Sequence, residues 1–225
     1  MSSDMQLKKH VEDELSWEPG VNAAAIGVAV KDAVVTLTGH VPSFAEKRTA
    51  EQSVLRIHGV RALANELEVR FLAGSEQTDE DIALKAASAL LWHSSIPKDH
   101  IKLQVSNGFI TLEGTVDWQY QREAAESAVE NLLGVKGVYN TVTVQPSHMR
   151  AEVRSEIEAA LKRNAEIDAR HISVSVLGNR VILSGETDSF LKKITAERAA
   201  WKAPGVIWVE NNIQVSPVSG VVTAA

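Results

Sequence analysis

Apolar residues along the chain fall into two alternating periodicities, and the alternation recurs three times. Leu7, Val11 and Leu15 are spaced i, i+4, i+8, which puts them on one face of a helix. Ile82, Ala86 and Leu90, then Val153, Ile157 and Leu161, repeat the spacing. Strict alternation follows in IGVAV from Ile26, IKLQV from Ile101 and ISVSV from Ile172, the pattern of a half-buried strand. Turn dipeptides Lys31-Asp32, Asn107-Gly108 and Gly178-Asn179 then lead into VVTLTGHV, FITLEGTV and VILSGETD, so each pair reads as a hairpin. A second helical stripe carries Ala50, Val54, Ile57, then Ala125, Val129, Leu132, then Ala196, Ala200, Ala203. Gly59, Gly134 and Gly205 follow as helix stops. LANELEV, VYNTVTV and VENNIQV close each unit as a last strand. Ser3 with Gln6, and Thr78 with Asp81, have the spacing of capping boxes.

The pattern is an internal repeat in fixed register. Gly39, Gly114 and Gly185 each follow an isoleucine by 13 residues (Ile26, Ile101, Ile172) and precede another glycine by 20. Asn65, Asn140 and Asn211 follow six residues later still, and Val21, Ile96 and Ile167 also share one offset. Successive units are 75 and 71 residues apart, and the four extra residues fall between Val69 and Ile82. Length differences collect in linkers, which divides the chain into 1–73, 74–146 and 147–217, with a tail at 218–225. The expected fold is α+β: three tandem α-β-β-α-β units, each with two helices on one face of a three-stranded mixed sheet. The pattern leaves open whether the third strand pairs with the first or the second. The strand glycines read as bulges or points of close backbone approach, with Ala50, Ala125 and Ala196 letting a helix lie near them. Lys47–Glu51, Arg122–Glu126 and Lys193–Glu197 are spaced as i,i+4 ion pairs, and the repeated asparagines are placed to satisfy backbone groups of the last strand.

Composition narrows the chemistry. The 225 residues contain no cysteine, which removes thiol catalysis, disulfides and thiolate metal sites. Net charge is −6, unfavourable for nucleic-acid binding. No apolar run approaches the roughly 20 residues of a spanning helix, and the charged start MSSDMQLKKHVEDELSW lacks a signal-peptide apolar region. There is no G-x-S-x-G, P-loop or post-strand G-x-G-x-x-G motif. The seven histidines form no H-x-x-x-H spacing, and Thr78-Asp79-Glu80-Asp81 fits a helix start better than a calcium loop. No enzyme activity, cofactor or metal is expected.

The elements IGVAVKDAVVTLTGHV with GVRALANELEV, IKLQVSNGFITLEGTV with GVKGVYNTVTV, and ISVSVLGNRVILSGET with GVIWVENNIQV resemble the BON domain (bacterial osmotically inducible protein Y and nodulation), here in three copies. The resemblance implies a non-catalytic module that attaches to phospholipid or envelope surfaces and acts in osmotic stress. It also implies a second reading: a cytoplasmic sensor of potassium or osmotic stress, or an interaction scaffold, with a monovalent cation or partner protein changing how the units pack. Many relatives are periplasmic or lipid-anchored; without a signal peptide or lipobox cysteine, this chain is expected in the cytoplasm, peripheral to the membrane.

Topology places the end of the first helix and the start of the second at one end of each unit, and the large aromatics gather there: Trp17 and Phe44, then Trp92, Trp118 and Tyr120, then Phe190. They either plug a thin sandwich or form a contact surface for lipid or protein. Charge separates the units: 8 basic and 10 acidic residues in 1–73, 5 and 10 in 74–146, 10 and 9 in 147–225. The third unit adds Lys162 and Arg163 after its first helix and Lys192 and Lys193 in the first turn of its second, a candidate site for an anionic headgroup. Lys162, Arg163, Lys192, Lys193 and Phe190 are all read as exposed. The second unit, at −5, is better suited to protein contacts.

Overall fold

The computed structural model describes residues 3–71, 74, 77–145, 153–163 and 171–215, with the side chains at 153, 154, 161 and 162 excepted. The linkers around Gly74 and Pro146, Ile167 and the tail 218–225 lie outside the described residues, wholly or in large part. Unit one runs α1 (Ser3–Trp17), β1 (Ile26–Lys31), β2 (Val34–Val41), α2 (Phe44–Leu55), β3 (Ala62–Val69). Unit two runs α3 (Asp79–Trp92), β4 (Ile101–Ser106), β5 (Phe109–Val116), α4 (Gln119–Glu130), then β6 (Gly137–Asn140) and β7 (Thr143–Val144), two pieces of one third strand. Unit three runs α5 (Val153–Arg163), β8 (Ile172–Leu177), β9 (Arg180–Thr187), α6 (Phe190–Trp201), β10 (Trp208–Val215). The order is α-β-β-α-β three times.

The hairpin's second strand is central in every sheet. β2, β5 and β9 pair antiparallel with the strand before and parallel with the strand after the helix. The parallel partners are 28 residues apart throughout: Val34↔Ala62, Phe109↔Gly137, Arg180↔Trp208. Inward side chains of the central strand, such as Val35, Leu37 and Val41, meet Leu7, Val11 and Leu15 of α1 and Ala50 and Val54 of α2 in one core cluster. Units two and three build separate clusters from corresponding positions. The opposite sheet face carries Phe109 stacked on Tyr139 at 5.8 Å, and Trp208 under Arg180 at 5.6 Å.

Several local expectations need correction. The first hairpin turns at Asp32-Ala33, one residue later than expected, because Lys31 pairs with Val34; both turn residues take positive φ, 52° and 61°, which alanine rarely does. The strand glycines do mark close approach, with φ of 118°, 146° and 131°. Their neighbour is not the helix alanine: a Cβ would lie 2.2 Å from the Ala25 carbonyl oxygen, 2.0 Å from that of His100 and 1.9 Å from that of His171. Ser3 is already helical, whereas Thr78 and Asp81 do form a capping box. The second helices end at Leu55, Glu130 and Trp201, so Gly59, Gly134 and Gly205 sit in the turn beyond them, with φ near 90°.

The lysine, arginine and glutamate on the second helix turn to the third strand. Asn65 Nδ2 donates to Glu51, Asn140 Nδ2 to Glu126 and Asn211 Nδ2 to Glu197, at 3.3, 3.2 and 3.1 Å. The same asparagines accept from the backbone N–H of Leu67, Val142 and Ile213. Lys47 donates to the Leu67 carbonyl and Arg122 to that of Asn140. Each asparagine thus fastens helix to strand where a strand amide would otherwise lack a partner.

Candidate functional site

The aromatic residues do not form one plug. Trp17 closes α1 and Trp92 closes α3, and the two are 85% and 83% exposed. They occupy the same position of their repeats, and the residue at that position in the third is Arg163, also exposed. Phe44 behaves differently: it opens α2 yet packs against the core of unit two. Phe190 is half-buried, as are Lys192 and Lys193, which corrects the expectation that these three are exposed. Lys193 lies 6.0 Å from the Phe190 ring centre, and Lys192 is held by Asp188 at 2.6 Å. The lysine hydrogen bond, then the lysine charge and that of His58, hold the Asp188 carboxyl below its ordinary value against the effect of burial. Asp188 therefore offsets a cation that would otherwise oppose the positive end of α6. Of the four expected headgroup cations, Arg163 is exposed, Lys192 is paired, Lys193 rests on a ring, and the Lys162 side chain lies outside the described residues.

Trp118 and Tyr120 are brought together, ring centres 6.4 Å apart, and line a cleft of about 460 Å³ between units two and three. Trp118 immediately precedes α4, where its backbone N–H donates to Gln121 at 3.0 Å, so its backbone is held at the helix entrance. The facing wall is Trp201 with Arg198 and Lys202, and Glu123 completes the rim. The cleft can take an apolar or ring-shaped group between aromatic walls, with charges of both signs at its mouth. Sequence reading found Trp118 and Tyr120 but missed Trp201. Its place at the far end of α6 gives no hint in one dimension that another unit's helix start comes to face it.

A second junction joins units one and two. Arg48 on α2 lies 3.6 Å from Glu126 and 3.6 Å from Glu130 of α4, and 3.7 Å from Glu51 on its own helix. Lys136 adds a cation over the Phe71 ring at 5.9 Å. Among the described residues, no group of three or more histidine, aspartate and glutamate side chains is placed to hold a metal ion, and no helix is long and apolar enough to cross a membrane.

Comparisons with known proteins agree with the repeat. The BON domain model matches three times, over residues 3–70, 78–146 and 150–217. Osmotically-inducible protein Y of Escherichia coli (strain K12) is 31% identical over 145 residues, 61% of this chain and 70% of that protein. Among solved structures, CdsD, a structural protein of the type III secretion system of Chlamydia trachomatis, aligns over 95% of this chain and 94% of its own at 16% identity, with a TM-score of 0.27. The PrgH periplasmic domain aligns over 85% and 95% at 11% identity and a TM-score of 0.22; superpositions this loose carry no argument about this chain. The three family matches and the three observed α-β-β-α-β units coincide: the chain belongs to the BON domain family, as a tandem of three copies.

Proposed function

We propose that this protein is a non-enzymatic binding module that attaches, from the cytoplasmic side, to anionic phospholipid or envelope-linked surfaces under osmotic stress. The observation that carries the reading is the equivalence of Trp17, Trp92 and Arg163, all exposed at the tip of the first helix of their units. Tryptophan and arginine are side chains that settle at a membrane–water boundary. The similarity to osmotically-inducible protein Y supports the stress context.

Co-sedimentation with vesicles of phosphatidylethanolamine and phosphatidylglycerol tests the reading. Trp17→Ala and Trp92→Ala should each weaken binding by about 1–2 kcal/mol through lost apolar contact, with little salt dependence. Arg163→Gln should remove roughly 1 kcal/mol that fades as salt rises. Lys192→Gln should matter less, because Asp188 already holds that ammonium. Unchanged binding in the two tryptophan variants would remove the lipid reading. A second reading, a sensor of osmotic or potassium stress, is favoured by the Arg48 junction, whose ion pairs weaken with ionic strength.

A further inference from the structure

The three first helices share their inward faces and differ on their outward ones. Inward, α1 buries Leu7, Val11 and Leu15 and α3 buries Ile82, Ala86 and Leu90, and the third repeat has Val153, Ile157 and Leu161 at the same offsets in sequence. Outward, α1 carries Lys9, Glu12, Asp13 and Ser16, with Lys8 paired to Glu12. At the same offsets the third unit has Ser155, Glu158, Ala159 and Lys162. In α3 those four positions are Leu84, Ala87, Ser88 and Leu91. Leu84 is 66% exposed and Leu91 58%, so the helix is apolar on the side away from its core as well as toward it. A helix with two apolar faces is ordinarily covered on both. The neighbouring ammonium of Lys85 is drawn aside to Gln77, which leaves the stripe without a charge between its leucines.

We propose that this stripe is a homodimer interface, in which α3 of one copy packs antiparallel against α3 of a second. The pattern itself is two-fold: Leu84, Ala87, Ser88 and Leu91 are symmetric about the midpoint between residues 87 and 88. An isologous contact needs that self-complementarity, because Leu84 of each copy then meets Leu91 of the other. Ala87 and Ser88 fall at the crossing, where small side chains allow the axes to approach to about 8 Å. Charge favours the antiparallel sense. Asp79, Glu80 and Asp81 open α3, whereas the segment after it carries His93, Lys98, His100 and Lys102 against the single Asp99. Antiparallel packing sets each acidic end beside the other copy's basic one, whereas parallel packing sets like beside like. The inference does not depend on lipid binding, and it leaves Trp17 and Arg163 free.

Sedimentation velocity of the full chain, across micromolar to millimolar concentration, tests the proposal. The wild type should shift from the 24.4 kDa monomer toward twice that mass, and Leu84→Glu or Leu91→Glu should raise the dissociation constant at least tenfold. Both side chains are exposed, so circular dichroism should show the fold unchanged. Lys9→Glu, the corresponding change on α1, should leave the equilibrium where it was. Since the chain has no cysteine, Ser88→Cys should oxidise to a disulfide-linked dimer, whereas Lys9→Cys should not. A wild type that stays monomeric throughout, or a dimer indifferent to Leu84→Glu, overturns the proposal. So does a monomer whose vesicle binding is lost in Leu84→Glu, which would assign the stripe to lipid.

Discussion

At the scale of single residues, the repeat is held by positions whose roles are backbone roles. Gly114 pairs with Ile101 at the end of the hairpin, where φ is 146° and a Cβ would lie 2.0 Å from the His100 carbonyl oxygen. No rotamer relieves a backbone clash, so Gly114→Ala must move β4 against β5. The cost should be about 3 kcal/mol or more, strain and displaced pairing together. A urea titration of the full chain should show this loss, whereas Gly74→Ala, with nothing within 4 Å of its Cβ, should cost far less despite its own positive φ. Equal midpoints for the two variants would refute the assignment. The spacing of Gly39, Gly114 and Gly185 made close approach legible in the sequence, but not the approaching group. The carbonyl that crowds each glycine belongs to the residue just before the first strand, a backbone group whose side chain is alanine at 25 but histidine at 100 and 171. Asn65, Asn140 and Asn211 were legible as backbone partners for the same reason, their recurrence. The hydrogen bond each donates from its side-chain amide to the helix glutamate was not, because i,i+4 spacing suggested a nearer partner for Glu51, Glu126 and Glu197.

At the scale of elements, periodicity identified every helix and strand because each buries one face against one core. What it could not give was strand order, since an alternating strand has the same pattern at an edge as in the centre. The central place of β2, β5 and β9 shows in burial rather than length: each fully buries two or three side chains, whereas no edge strand buries more than one residue. Helix starts show a device that the pattern hid. Asp4 accepts hydrogen bonds from the backbone N–H groups of Asp32 and Ala33, and Asp79 from those of Asn107 and Gly108. One carboxylate thus anchors the first helix to the turn of the hairpin that follows. The capping box next to it can be probed separately. The Thr78 hydroxyl accepts from the Asp81 backbone, and the Asp81 carboxylate accepts from Thr78; these bonds hold the Asp81 carboxyl below its ordinary value. Thr78→Ala should cost about 1 kcal/mol of stability, while Thr78→Ser should restore most of it. A loss shared equally by both variants would mean that packing of the threonine methyl, not the cap, stabilises the start of α3.

At the scale of the whole molecule, identical units are joined by residues that are not identical, which is why the repeat did not disclose the junctions. The positions equivalent to Arg48 hold Glu123 and Ile194; one of these lines the cleft to unit three and neither can serve as a cationic latch. Arg48 faces Glu51, Glu126 and Glu130 at 3.6–3.7 Å, too far for good hydrogen bonds, so its hold on α4 is Coulombic. Partly exposed pairs of this kind contribute about 0.2–1 kcal/mol each. They weaken as the screening length falls from about 8 Å at physiological salt to about 3 Å at 1 M. Phe44, packed on the core of unit two, supplies an apolar contact at the same junction that salt does not weaken. The junction therefore combines an ionic-strength-sensitive latch with an insensitive hinge point, an arrangement that can open without coming apart. Small-angle scattering of the full chain, well below its self-association range, should show a larger radius of gyration for Arg48→Leu at low salt. The wild type should approach the same value as potassium chloride is raised toward 1 M, and Arg48→Leu should then respond little to salt. Arg48→Lys should fall between, since a point charge cannot face three carboxylates as a planar guanidinium does. A wild-type radius constant across that range, or an Arg48→Leu chain as compact as the wild type, would show that Phe44 and its neighbours hold the two units together unaided.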